Sequence, residues 1–184
     1  MNMKIFYLLS IMMFFGSCKC KKDLIAETIK TDSIPSSKFQ KMMTTFCPEN
    51  GKCTTAIYRN KSLEIKTDEF GHNYYNQIDN AETSVIKFSY NRNVPKGLQD
   101  GSYREEIVFE INNSDKELSL KNEEIQKTKM LFGRFCYCKG STGNYKVIDG
   151  NLNLKQKDNE VEFELVFKNN QVPQLLTTIS EVVK

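Results

Sequence analysis

Apolar side chains recur at every second residue along much of this chain. Val161, Phe163, Leu165 and Phe167 alternate with Glu160, Glu162 and Glu164, and the same period runs through Ile107, Phe109 and Ile111 and through Ile86, Phe88 and Tyr90. Successive side chains of a strand point to opposite faces, so each run predicts a strand with one buried and one wet face. One-sided strands of this kind fit antiparallel sheets. Turn chemistry separates the runs: Pro48-Glu49-Asn50-Gly51, Arg59-Asn60-Lys61, Asp68-Glu69-Phe70-Gly71, Gln99-Asp100-Gly101, Asn112-Asn113-Ser114-Asp115, the stretch 140–144, Asp149-Gly150-Asn151 and Lys157-Asp158-Asn159. The Asn-Gly and Asp-Gly pairs supply the positive-φ residues that tight hairpins need.

The pattern predicts strands over 39–46, 54–58, 62–66, 73–78, 84–91, 103–112, 117–120, 129–138, 145–155, 160–168 and 175–182. Residues 39–46 also suit a short helix, since Lys38, Lys41, Met42 and Met43 tolerate one. For 175–182 the β-branched Thr177, Thr178, Ile179 and Val182 favour a strand, because such side chains lose freedom in a helix. No stretch reads as a long amphipathic helix. Short strands at this spacing predict an all-β fold, an antiparallel β-sandwich or an up-and-down barrel, in one domain spanning 39–184.

The first residues have a different character. Lys4 is followed by a stretch, 5–15, that is apolar apart from Ser10, and Phe15-Gly16-Ser17-Cys18 places small residues just before a cysteine. The run is shorter than the roughly 20 residues a membrane-spanning helix needs. This segment resembles a bacterial lipoprotein signal peptide. The resemblance implies cleavage after Ser17, so that 1–17 is removed, and acylation of Cys18, whose two or three chains would hold the protein stably at a membrane. Cys20 does not fit, because Lys19 stands where the peptidase requires a small residue. Lys21 and Lys22 follow instead of the acidic residues that mark inner-membrane retention or surface export in similar lipoproteins. That implies the periplasmic face of the outer membrane. The preference for Lys over Arg and the many asparagines suggest an AT-rich genome, as in Bacteroidota.

Residues 18–38 are polar, contain Pro35 and paired serines, and read as a lipidated N-terminus with a flexible tether. Within it, Asp32-Ser33-Ile34 resembles the acceptor motif of Bacteroidota protein O-glycosylation, which implies a glycan on Ser33. The formal charge of the whole chain is +3; loss of 1–17 removes one lysine and leaves +2. Acids and bases alternate along most of the chain, so no polyanion-binding face is expected and nucleic acid is not a partner. The cluster from Lys19 to Lys22 suits lipid headgroups.

Five cysteines remain after Cys18: Cys20, then Cys47 and Cys53, then Cys136 and Cys138. In an exported domain, thiols that can pair generally do. Cys47 and Cys53 flank a turn and could face one another across a hairpin. On a continuous strand, Cys136 and Cys138 would lie about 6.6 to 6.8 Å apart, at or past the disulfide limit. The preferred expectation is therefore that Cys47 and Cys53 bond crosswise to Cys136 and Cys138, in either order. The alternative makes Cys136-Tyr137-Cys138 a thiol-redox or Cu(I) site; zinc is disfavoured because the spacings are not those of its usual knuckles.

No catalytic constellation stands out. The single histidine, His72, sits beside Gly71 in a turn and reads as an exposed loop residue. Gly140-Ser141-Thr142-Gly143 lacks the lysine and the following helix of a phosphate loop and reads as a hairpin connection. Glu105-Glu106 and Asp68-Glu69 are adjacent carboxylates, which a strand points to opposite faces, and salt-bridged surface is their expected role. Tyr74-Tyr75 and Phe135/Tyr137 could form a ligand-stacking patch, but core or cross-strand aromatics are their expected role. The resulting expectation is a non-enzymatic, membrane-anchored envelope lipoprotein that binds or assembles with an envelope partner, without cofactor or metal. The competing classes are a thiol- or copper-handling lipoprotein and an immunity or inhibitor lipoprotein.

Overall fold

A computed structural model describes residues 47–184. Cys18, Cys20, Ser33, the tether and the strand expected at 39–46 lie outside the described residues. Among the described residues there are nine strands: β1 (Gly51–Thr67), β2 (Asn73–Arg92), β3 (Tyr103–Asn112), β4 (Glu117–Lys121), β5 (Leu131–Cys136), β6 (Gly143–Lys146), β7 (Gly150–Lys157), β8 (Glu160–Phe167) and β9 (Thr178–Val183). They form two antiparallel sheets, one ordered β1-β2-β3-β5-β6 and the other β4-β7-β8-β9. The fold is all-β, as the alternation predicts.

The inner faces meet in one core. Ile86, Phe88, Ile107, Phe109 and Phe132 of the first sheet pack with Leu152, Leu154, Val161, Phe163, Leu165 and Ile179 of the second. Phe109 meets Phe163 edge-on, with ring centroids 5.3 Å apart. On β8 the expected pattern holds: Val161, Phe163, Leu165 and Phe167 are buried while Glu162 and Val166 face out.

On β3 a wet outer face is not what forms. The β1–β2 hairpin is long enough to turn back over the sheet's outer side. Asn73 of β2 pairs with Asn144 of β6, closing the first sheet into a small ring. Leu63, Ile65 and Tyr75 from the returning arm then cover Val85, Val108 and Leu131. The bend is built at Arg59/Lys61, where a β-bulge shifts the register and Asn60 takes φ 57°. Expected as a turn, Asn60 instead bends a strand that continues; likewise 73–78 and 84–91 belong to one strand.

Two other boundaries differ from expectation. The stretch 145–155 is divided at 147–149 between β6 and β7, and β7 opens on Gly150, at φ 155°, where a Cβ would come within 2.3 Å of the Val166 carbonyl oxygen. A 3-10 turn, Asn122–Thr128, fills the gap between the sheets and buries Ile125.

Candidate functional site

One end of the five-stranded sheet gathers the starts of β1 and β3 and the ends of β2 and β5. Gly51 pairs with Arg92, Asn91 with Arg104, and Tyr103 with Cys136. The chain reaches the domain here: Asn93 N donates to the Asn50 carbonyl at 2.7 Å, and the Tyr90 hydroxyl donates to the Glu49 carbonyl at 3.3 Å.

The described cysteines are joined in two local bridges, Cys47–Cys53 and Cys136–Cys138, with Cα separations of 5.8 and 5.1 Å. The crosswise pairing is therefore corrected. It assumed that the strand continues through Cys138, but β5 ends at Cys136 and the chain bends at Tyr137, which shortens the span to bonding distance. Cys47 meets Cys53 around the Pro48–Asn50 turn, the hairpin-like arrangement also read from the sequence.

The second bridge closes a three-residue loop that displays Tyr137, whose surface is 80% exposed. Its expected core role is thus corrected: the bend turns the ring outward. Thr142 braces the loop, its hydroxyl accepting from Cys136 N at 3.1 Å and donating to the Cys136 carbonyl at 3.0 Å. Gly140, at φ 73°, turns the chain back toward β6, so the Gly-rich segment is the hairpin connection expected of it.

Near the loop two guanidiniums stack on rings, one pair on each face of the strand ends. The Arg92 guanidinium lies 4.2 Å from the centroid of Tyr103, and that of Arg104 lies 4.4 Å from Phe135. Arg134 is buried and donates from Nη1 to the Ser141 carbonyl and hydroxyl at 2.9 and 2.7 Å, tying β5 to the loop. Burial pushes the Tyr103 phenol above its ordinary range, and its bond to Glu105 pushes the same way. A cleft of about 460 Å³ opens among Arg92, Val94, Tyr103, Arg104, Phe135 and Tyr137, and no carboxylate lines it. Stacking on rings fixes the guanidinium planes and still lets N–H edges donate to an acceptor, although the Nε side of Arg104 is already taken by Glu106 at 3.4 Å.

Glu105 and Glu106 do point to opposite faces, but neither is surface. Both are buried, because the loop before β9 covers one side of β3 and the returning hairpin covers the other. Glu105 accepts from Leu175 N at 2.8 and 2.9 Å, from Leu176 N at 2.8 Å and from the Tyr103 hydroxyl. Glu106 pairs with Lys87 at 2.9 Å and Arg104 at 3.4 Å, and accepts from the Tyr75 hydroxyl at 3.2 Å. Burial works to lower the Lys87 pKa, yet the Glu106 bond and charge outweigh it and hold it raised. For Tyr75, burial and then the Glu106 charge both push the phenol up. Glu110 accepts from Ser62 Oγ at 2.8 Å and Leu63 N at 2.7 Å and pairs with Lys129 at 2.8 Å. These three carboxylates fasten the fold.

His72 lies at the exposed tip between β1 and β2, as expected, 3.4 Å from Asp68. The Asp68 carboxylate accepts from Phe70 N and His72 N, and the His72 bond is the chief cause of its lowered pKa. Among the described residues no three His, Cys, Asp or Glu side chains are placed to share a metal ion. Sequence reasoning did not single out Arg92, Tyr103, Arg104 or Arg134. They sit on three strands, β2, β3 and β5, and only strand register brings them together. No family model, curated protein or solved structure matches this chain.

Proposed function

We propose that this chain is a lipid-anchored envelope protein with a non-catalytic binding or assembly role, held through Cys18 at the outer membrane on its periplasmic side. The observation that carries the reading is Phe15-Gly16-Ser17-Cys18 at the end of a short apolar run. The described domain supports a binding role in two ways. Its buried carboxylates are taken up by internal partners, and its most projecting aromatic, Tyr137, stands on a covalently closed loop beside two ring-stacked arginines. Tyrosine and arginine are the side chains that most often dominate binding surfaces, and a closed loop loses little freedom when it binds.

Photo-crosslinking tests this directly. A benzophenone amino acid placed at position 137 in the native cells is expected to form an adduct with an envelope component, and one at Glu162, on the outer face of β8, is expected to form none. Equal labelling from both positions would overturn the assignment of the surface. The thiol-handling reading rests on the partly exposed Cys136–Cys138 pair; it requires that native protein hold these as thiols, which titration before and after reductant measures.

A further inference from the structure

We infer that the arginine–aromatic end is the face this domain lays against an anionic lipid surface, with lipid phosphates contacted by Arg92 and by Arg104 from either side of the strand ends and Tyr137 and Leu98 set at the headgroup level. The inference deepens the anchored-protein reading and rests on it. Three observations carry it.

The first is where the chain joins the domain. Residues 1–46 precede the described part, and Cys47 lies at this same end, fastened through the Asn50–Asn93 and Glu49–Tyr90 bonds. Cys18 precedes Cys47 by only 29 residues, so an anchor there would join the domain at this end.

The second is the chemistry displayed. Tyr137 is 80% exposed and Leu98 57%, and Val94 stands exposed beside Leu98 above Gly101. Large apolar side chains projecting in company from two neighbouring loops are unusual on a surface meant for water, and tyrosine prefers the membrane–water interface.

The third is charge. The three segments that make this end, 47–52, 92–104 and 137–142, carry five basic and two acidic residues in a chain that is otherwise close to balance. Within the cleft only arginines are charged, and each is aligned by a ring. Arginine donates to phosphate through two parallel N–H groups, and each basic residue brought to an anionic surface raises partition about five-fold.

The chain contains no tryptophan, so one introduced indole reports its own surroundings. The acylated full-length protein, carrying Tyr137→Trp or, as a comparison, Phe70→Trp at the exposed β1–β2 tip, is reconstituted into vesicles. The vesicles are phosphatidylcholine with about a third phosphatidylglycerol, doped with lipids brominated near the headgroup. The expected result is quenching at position 137 at least three-fold stronger than at position 70. Arg92→Gln with Arg104→Gln, or vesicles of phosphatidylcholine alone, should reduce the difference at least three-fold, whereas inorganic phosphate should leave it in place. Equal quenching at the two positions, or quenching at 137 that ignores both the arginines and the lipid charge, would overturn the inference. Flotation separates the two readings: protein that fails to float with vesicles defeats the anchor, and protein that floats with an unquenched indole at 137 defeats only the docking face.

Discussion

Replacing Glu105 by alanine removes one acceptor from three donors in the interior of the domain. The carboxylate receives Leu175 N and Leu176 N at 2.8 Å and the Tyr103 hydroxyl, and Glu105 itself is fully buried. A buried donor left without an acceptor costs about 1–3 kcal/mol. Leu175 is 39% exposed, so water can recover part of its loss. The expected destabilisation of Glu105→Ala is therefore about 3–5 kcal/mol, the range found when one partner of a buried charged contact is removed. For a domain of this size that corresponds to a fall in Tm of roughly 10–20 °C. Glu105→Gln keeps the shape and one acceptor oxygen but turns an amide N–H toward other donors, and about 2 kcal/mol is expected. Urea unfolding followed by circular dichroism measures both, with Glu162→Ala on the outer face of β8 as a control within about 0.5 kcal/mol. Amide exchange adds a local readout, since protection at Leu175 and Leu176 should collapse before that of β8. A Glu105→Ala variant within about 1 kcal/mol of the parent would refute the claim that this carboxylate fastens the loop before β9 to β3.

Proteolytic mapping without reductant should yield Cys47 joined to Cys53 and Cys136 joined to Cys138; any fragment linking the two regions would contradict the structure. Replacing Cys47 and Cys53 together by serine should cost only about 2 kcal/mol, because the bridge closes a short loop, against the 4–5 kcal/mol of a loop of about 85–90 residues. Gly133→Ala places a Cβ 2.6 Å from the Phe135 ring and 2.8 Å from Glu106 Cγ, and about 1–3 kcal/mol of destabilisation should appear in the same urea titration. Alkaline titration read by phenolate absorbance should find Tyr75, Tyr103 and Tyr145 ionising above their ordinary 10.0. Burial is the leading cause for each. The native state then holds protons that the unfolded state has released, so stability is complete below pH 10 and falls as pH rises through the folded-state values. A melting temperature that rises with pH above 10 would contradict this.

The strands whose signals are local were legible in the chain. β3 lies where alternation and flanking turns put it, at Tyr103–Asn112, and β8 differs from its expected span at one end only. Asn60 was misread because a left-handed asparagine serves a bulge as readily as a turn, and nothing beside it distinguishes the two. The 3-10 turn at Asn122–Thr128 is too short to show a period. The burial of Glu106 could not be read from β3 itself, since the cover comes from a hairpin more than thirty residues earlier in the chain that folds back over the sheet. The same holds for the candidate site. Alternation says that Arg104 and Glu105 face opposite ways, but only register places Phe135 beneath one guanidinium and Tyr103 beneath another. The cysteine pairing failed at a single assumption, that the strand reaches past Cys136.

The central claim is covalent, and intact-mass analysis of protein extracted from native membranes tests it most directly. The account predicts a chain that starts at Cys18, lacks residues 1–17 and carries the added mass of a diacylglycerol on sulfur with or without a further acyl group. A chain still starting at Met1 with an unmodified Cys18 would contradict it.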